Sequence, residues 1–106
     1  MSAAHTWLLA RAAYAPESLR VAMLRNLDEA AAPRPEAQMA KAALTALRAA
    51  LRAPWERASA HQLLAADALF THACEAAAES GTGALIAFAD EWDARRFDEL
   101  LPPQET

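Results

Sequence analysis

Apolar residues recur every three or four positions along most of this chain, the spacing that places them on one side of an α-helix. After Pro16 such a side is formed by Leu19, Met23, Leu24, Leu27, Ala30 and Ala31, and charged residues occupy the other side. After Pro35 it is formed by Met39, Ala43, Leu44, Leu47, Ala50 and Leu51. The pattern predicts two amphipathic helices, over residues 16–31 and 35–52.

Prolines and glycines mark the remaining boundaries. Pro16, Pro35 and Pro54 are each 19 residues apart, and a glutamate follows each within two residues, as favours a first helical turn. Gly81 suits the position after a helix end, and Thr82 suits the cap of the next helix. A short helix over residues 2–13 should precede these. A fourth helix should begin at Pro54 or after a capping box at Ser59 and end near Glu79, and a fifth should cover residues 83–101.

The expected fold is therefore all-α, a compact antiparallel bundle of four main helices plus a short N-terminal helix. Residues 1–101 should form one helical domain, and residues 102–106 a flexible C-terminal tail. Composition agrees, because the chain has 31 alanines and 14 leucines but one valine and one isoleucine. A β-rich fold is excluded, and 55% hydrophobic content argues against disorder.

The net charge of the chain limits the classes of partner that it is expected to bind. The net charge is −4, which argues against a general nucleic-acid binder. No apolar run approaches the roughly 20 residues that a membrane span needs, and no basic segment opens a secretory signal, so a cytoplasmic location is expected. Charge is divided unevenly, +3 over residues 1–57 and −7 over residues 58–106.

The fourth helix carries a row of possible metal ligands: His61, His72, Glu75 and Glu79. At about 100° per residue the four share one face, but that face points away from Leu63, Ala66 and Phe70 on the expected core side. The two histidines are also about 16 Å apart along the axis, too far to share one ion. A solvent-exposed face is the favoured interpretation, and metal or small-ligand binding is the alternative.

Nothing in the chain indicates catalysis. Cys74 is the single cysteine, which excludes an internal disulfide and a cysteine-based zinc site. It lies at the edge of the expected apolar face, and we interpret it as a small core residue. With two glycines there is no phosphate-binding loop. The sequence predicts no cofactor and no catalytic residue, and it favours a protein that is not an enzyme.

The third helix carries the basic row Lys41, Arg48 and Arg52, with Thr45 on the same face. A hydrated charged face is the plainest interpretation, an acidic protein partner is the next, and nucleic acid is the weakest.

The fifth helix has an apolar arc of about 180°, wider than packing on one core requires. Three explanations stay open: a kink near Asp90, a central position among other helices, or contact with a second chain through Phe88 and Trp92. Asp93 and Arg96 interrupt the arc and are spaced to pair with each other.

These observations predict a protein–protein interaction module, such as an adaptor, assembly factor or regulatory subunit, that associates with itself. The alternatives are a metal- or small-ligand-binding protein that uses the His/Glu row, and a DNA-binding regulator that uses the basic third helix. No motif is specific enough to indicate a family.

Overall fold

Six α-helices make up the regular structure of the described part of the chain. The computed structural model describes residues 3–28, 30–52 and 56–100. The helices are α1 (Ala3–Arg11), α2 (Glu17–Asn26), α3 (Pro35–Arg52), α4 (Arg57–Glu79), α5 (Thr82–Glu91) and α6 (Ala94–Leu100), with no strand among the described residues. The predicted all-α bundle is confirmed. The expected tail at 102–106 and the proposed helix start at Pro54 lie outside the described residues.

The closest-packed part of the molecule is the α3–α4 pair, which shares the most extensive contact between two helices. Most of the buried residues of these two helices are alanines, among them Ala40, Ala43 and Ala46 of α3 and Ala73 and Ala77 of α4, none more than 3% exposed. Because alanine side chains are short, they allow two helices to pack at a small distance from each other. Larger side chains then complete the core, and the fully buried ones are Leu8, Met23, Met39 and Leu69.

The loop between α2 and α3 explains why α2 ends at Asn26 and not near Ala31. The Asp28 carboxylate accepts a hydrogen bond from the Ala30 N–H at 3.0 Å, which is an Asx turn. Gln38 Nε2 and Lys41 Nζ of α3 donate to the carbonyls of Ala32 and Ala31, at 2.8 and 2.6 Å. These bonds satisfy loop carbonyls that a longer helix would have satisfied itself.

The start of α4 also differs from expectation. Ser59 is 3% exposed and lies inside the helix, so it is not the cap of a capping box. The residue at the cap position is Glu56, and it makes no side-chain capping bond.

At the other end of α4 the prediction holds, since Gly81 has φ +115°, a conformation that side-chain-bearing residues rarely adopt. Thr82 is the first residue of α5 and not its cap.

The predicted fifth helix is two helices, so the single helix over 83–101 is wrong and a break near Asp90 is confirmed. Trp92 leaves the helical conformation at φ −113°, ψ 44°. Asp93 Oδ1 then accepts a hydrogen bond from the Arg96 backbone N–H at 2.9 Å. Asp93 is therefore bonded as an N-cap of α6, and the expected Asp93–Arg96 pair is a cap and not an ion pair.

An aromatic cluster attaches α5 and α6 to α4. The Phe70 ring of α4 lies 5.9 Å from Phe88 of α5 and 5.2 Å from Phe97 of α6, measured between centroids. Trp92 lies 6.5 Å from Phe88 and 5.9 Å from Phe97. Within the described ranges, no helix is long and apolar enough to cross a lipid bilayer.

Candidate functional site

The His/Glu row of α4 is partly covered by α1 and α2, contrary to the expected solvent-exposed face. His61 Nε2 lies 3.1 Å from the Ser18 carbonyl of α2 and donates to it in the tautomer protonated there. The His72 ring packs edge-on against Trp7 of α1, with centroids 5.5 Å apart. Glu79 accepts a 2.9 Å hydrogen bond from Trp7 Nε1.

Contacts of the two glutamates complete this row. Glu79 pairs with Arg11 of α1, and a Glu75 oxygen lies 3.5 Å from His72 Nδ1. Among the described residues, no group of three or more candidate ligands is placed to hold a metal ion. The row therefore acts as a docking surface for the first two helices.

The positions of the buried residues on α4 explain why the His/Glu row is partly covered and not fully exposed to solvent. Its buried positions are mainly alanines and Leu69, whereas Leu63, expected on the core side, is 43% exposed. The buried face is therefore turned toward the His/Glu row. The sequence pattern misplaced this face because alanine is small enough to occur in a core or at a surface.

The basic row of α3 is divided along its length. Lys41 is engaged by the Ala31 carbonyl, and Thr45 Oγ1 donates to the Lys41 carbonyl at 3.1 Å. Arg48 is partly buried, and Arg52 is exposed at the last turn. Basic side chains therefore reach solvent mainly at the C-terminal end of this row.

Cys74 is half-buried and packs against the core. Burial raises the pKa of its thiol above the ordinary value, and the neighbouring Glu75 carboxylate adds to this, against a backbone hydrogen bond that lowers it. A raised pKa means less thiolate, the form that reacts, so this environment is typical of a structural cysteine.

Phe88 and Trp92 lie in the core and not on the surface. They are 6% and 5% exposed, which leaves them no area for direct contact with a partner in this conformation. The exposed apolar surface of α5 belongs to Leu85 and Ile86, at 37% and 57%. The candidate contact on this helix therefore moves to those two residues.

An apolar groove opens between α3, α4 and α6. It has a volume of about 370 Å³ and is lined by Ala43, Leu47, Leu63, Ala66, Asp67, Phe70 and Phe97. The two alanines are too short to fill the space between the larger side chains, which leaves the depression open. Asp67 is the one charged residue among these. We call this site the α3/α4/α6 groove.

A second depression, of about 440 Å³, lies between α2 and α4, and four of the six residues that line it carry a polar or charged group: Glu17, Ser18, Val21, Ala22, Arg25 and His61. An apolar ligand bound there would cover several of these polar groups without offering them hydrogen-bond partners. The α3/α4/α6 groove is the better candidate, since binding sites are concave and mostly apolar.

Sequence reasoning missed this groove. It assigned Leu47 and Leu63 to apolar stripes but gave no means to tell a buried stripe position from one that borders an open depression. The signal available in the sequence was that α4 has more apolar positions than one buried face can hold. In the structure, Leu63 and Leu64 are both exposed. Comparisons of the chain with protein-family models, with curated proteins and with solved structures found no match.

Proposed function

We propose that this protein is a helical interaction module that binds an apolar segment of another polypeptide in the α3/α4/α6 groove. The observation that carries the proposal is the lining of the groove, where the 43%-exposed Leu63 adjoins Leu47, Phe70 and Phe97 with Asp67 as the one charged neighbour.

The physical basis is the burial of apolar surface. Covering a leucine- or phenylalanine-sized side chain fully is worth roughly 1.5–3 kcal/mol. An amphipathic helix offers such side chains at i, i+3 or i+4 and i+7, and a groove between helices is the usual receptor for that pattern. A polypeptide is favoured over a polar metabolite, because the lining offers a single charged group to orient a small molecule.

The two alternatives have less support. Three members of the His/Glu row, His61, His72 and Glu79, already contact α1 or α2. For DNA binding, Lys41 is already bonded to a loop carbonyl. Adaptor, assembly and regulatory roles all remain within the proposal, since each requires such a contact.

Site-specific crosslinking in the source cells tests the proposal. Leu63 is replaced by the photoreactive residue p-benzoylphenylalanine, and Leu64 is replaced in a matched control, because Leu64 is 58% exposed but does not line the groove. We expect an adduct with a polypeptide from position 63 and a much weaker one from position 64. Absence of any polypeptide adduct at position 63, or equal adducts at both positions, would overturn the proposal.

A further inference from the structure

The α3/α4/α6 groove has one charged group among its described lining residues, the Asp67 carboxylate. Asp67 is exposed on α4, four residues after Leu63 and three before Phe70, so the three residues share one side of the helix. Along the helix axis Asp67 lies about 6 Å beyond Leu63 and about 4.5 Å before Phe70. The groove therefore presents one acidic group between two apolar contact points.

This carboxylate has no basic partner within the described part of the chain. None of the ion pairs between described residues includes Asp67, and the Thr71 hydroxyl donates to its backbone carbonyl, at 2.9 Å, and not to its side chain. Arg96, the base next to Phe97 in the sequence, lies over the Trp92 ring, 5.4 Å from the ring centroid. The Asp67 carboxylate is therefore available to a bound partner.

The charges around the groove favour a partner of the same kind. Five of its seven described lining residues belong to α4 and α6, in the part of the chain, residues 58–106, that carries a net charge of −7. On α3 the groove wall is formed by Ala43 and Leu47, and the basic row of that helix lies about 120–160° round the helix from this wall. A basic partner is attracted to such a surface, and an acidic one is repelled.

We infer that the segment bound in the α3/α4/α6 groove is a basic amphipathic helix, which carries a lysine or arginine about one turn from its apolar anchors and pairs it with Asp67. This inference rests on the proposed function and specifies the chemistry of the partner. Lysine and arginine suit the site because their methylene stems cover apolar surface while their charged ends reach an exposed carboxylate. With anchors at i and i+7, against Leu63 and Phe70, the base falls at i+3 or i+4.

Selection from a library of helical peptides tests this inference. The library fixes leucine or phenylalanine at i and i+7 and randomises the positions between them. It is selected on the wild type, on Asp67→Lys and on Asp90→Lys, which makes the same charge change at an exposed residue that does not line the groove. Leu63→Glu disables the groove and gives the background. All the substituted side chains are exposed, so the variants should fold, which circular dichroism checks.

On the wild type we expect lysine and arginine at i+3 or i+4 to be enriched at least about threefold over aspartate and glutamate. Asp67→Lys should reverse this preference, and Asp90→Lys should keep it. In fluorescence anisotropy, the best basic peptide should bind the wild type at least about threefold more tightly than the same peptide with glutamate in place of the base. Added salt should reduce this difference, because the pair is exposed.

Failure of the inference can be told apart from failure of the proposed function. Peptides that are enriched over the Leu63→Glu background without a basic preference, or with one that Asp67→Lys leaves unchanged, would overturn the basic partner and leave the proposed function standing. No enrichment over that background would also overturn the inference. Together with no polypeptide adduct at position 63, it would overturn the proposed function as well.

Discussion

Helix α3 buries eight of its 18 residues, whereas α5 buries one of its ten, although about three-fifths of each helix is apolar. The apolar residues of α3 are mostly alanines that pack closely against α4. Helix α5 is held through Phe88, and its remaining apolar side chains face outward. Helices of equal apolar content therefore form a core in one region and an exposed apolar surface in the other. The number of neighbouring helices decides the difference.

The largest difference in stability is expected when one large side chain is truncated in each of the two helical regions. Leu69 of α4 is 0% exposed, and Leu69→Ala should lower the free energy of unfolding by about 2–5 kcal/mol through lost contacts and a cavity. Ile86→Ala in α5, at 57% exposure, should change it by about 0.5 kcal/mol or less. Urea denaturation measures both values. Equal losses would mean that α5 is a core helix after all.

The junction between α5 and α6 should respond to loss of its cap. Asp93→Ala removes the acceptor for the Arg96 N–H and should cost about 0.5–2 kcal/mol. Asp93→Asn keeps a capping oxygen and should cost much less, so it is the control. Hydrogen exchange should show that the loss of amide protection is concentrated in α6. A loss of protection spread evenly over α3 and α4 as well would contradict a local capping role.

Cys74 probes the edge of α4 beside the aromatic cluster, since it lies one turn after Phe70. Because burial raises its pKa, a thiol reagent should label the native protein more slowly than the denatured protein at the same pH. Cys74→Ala should cost about 1 kcal/mol. Rapid native labelling would show that this edge opens readily.

The same raised pKa gives a small pH effect with a definite sign. The unfolded chain, whose thiol has the lower pKa, releases this proton first, so the contribution is present below the ordinary thiol pKa. It is lost as the pH rises through the raised value of the folded state. The Cys74→Ala variant should lack this alkaline loss, and unfolding curves taken across alkaline pH measure it.

The smallest expected effect concerns charge. The uneven division of charge predicts that self-association joins the basic row of the third helix to acidic residues of the second half of the chain, namely Glu75, Glu79, Asp90 and Glu91. Glu79 already pairs with Arg11 and Glu75 lies beside His72, which leaves Asp90 and Glu91. Arg52→Glu or Asp90→Arg should each weaken association by roughly 0–1 kcal/mol, and the double reversal should recover part of the loss. Arg25→Glu, an exposed change on α2, is the control.

Salt should weaken association of the wild type in the same direction, because exposed charges are screened over about 8 Å at physiological ionic strength. Sedimentation across a salt series measures this. Association that is unchanged by salt and by both reversals would indicate a purely apolar contact.

Local sequence signals were enough to predict the all-α class, the bounds of α3 at Pro35 and Arg52, the end of α4 at Glu79 and the turn at Gly81. Each depends on local chemistry: proline fixes φ, glycine permits a positive φ, and apolar spacing follows the helical period. These signals act within a few residues, so they can be read from the chain alone.

Which apolar residues are buried, and what the polar rows contact, depends on how the helices pack together. The sequence pattern places Leu63 on the core side, but its side chain is 43% exposed. The pattern places Glu79 on a hydrated face, but Glu79 accepts a hydrogen bond from Trp7 and pairs with Arg11. In a chain with 31 alanines, a helix has several faces smooth enough to pack, and periodicity does not choose among them. The choice comes from the neighbours, because burial is a property of two surfaces that meet.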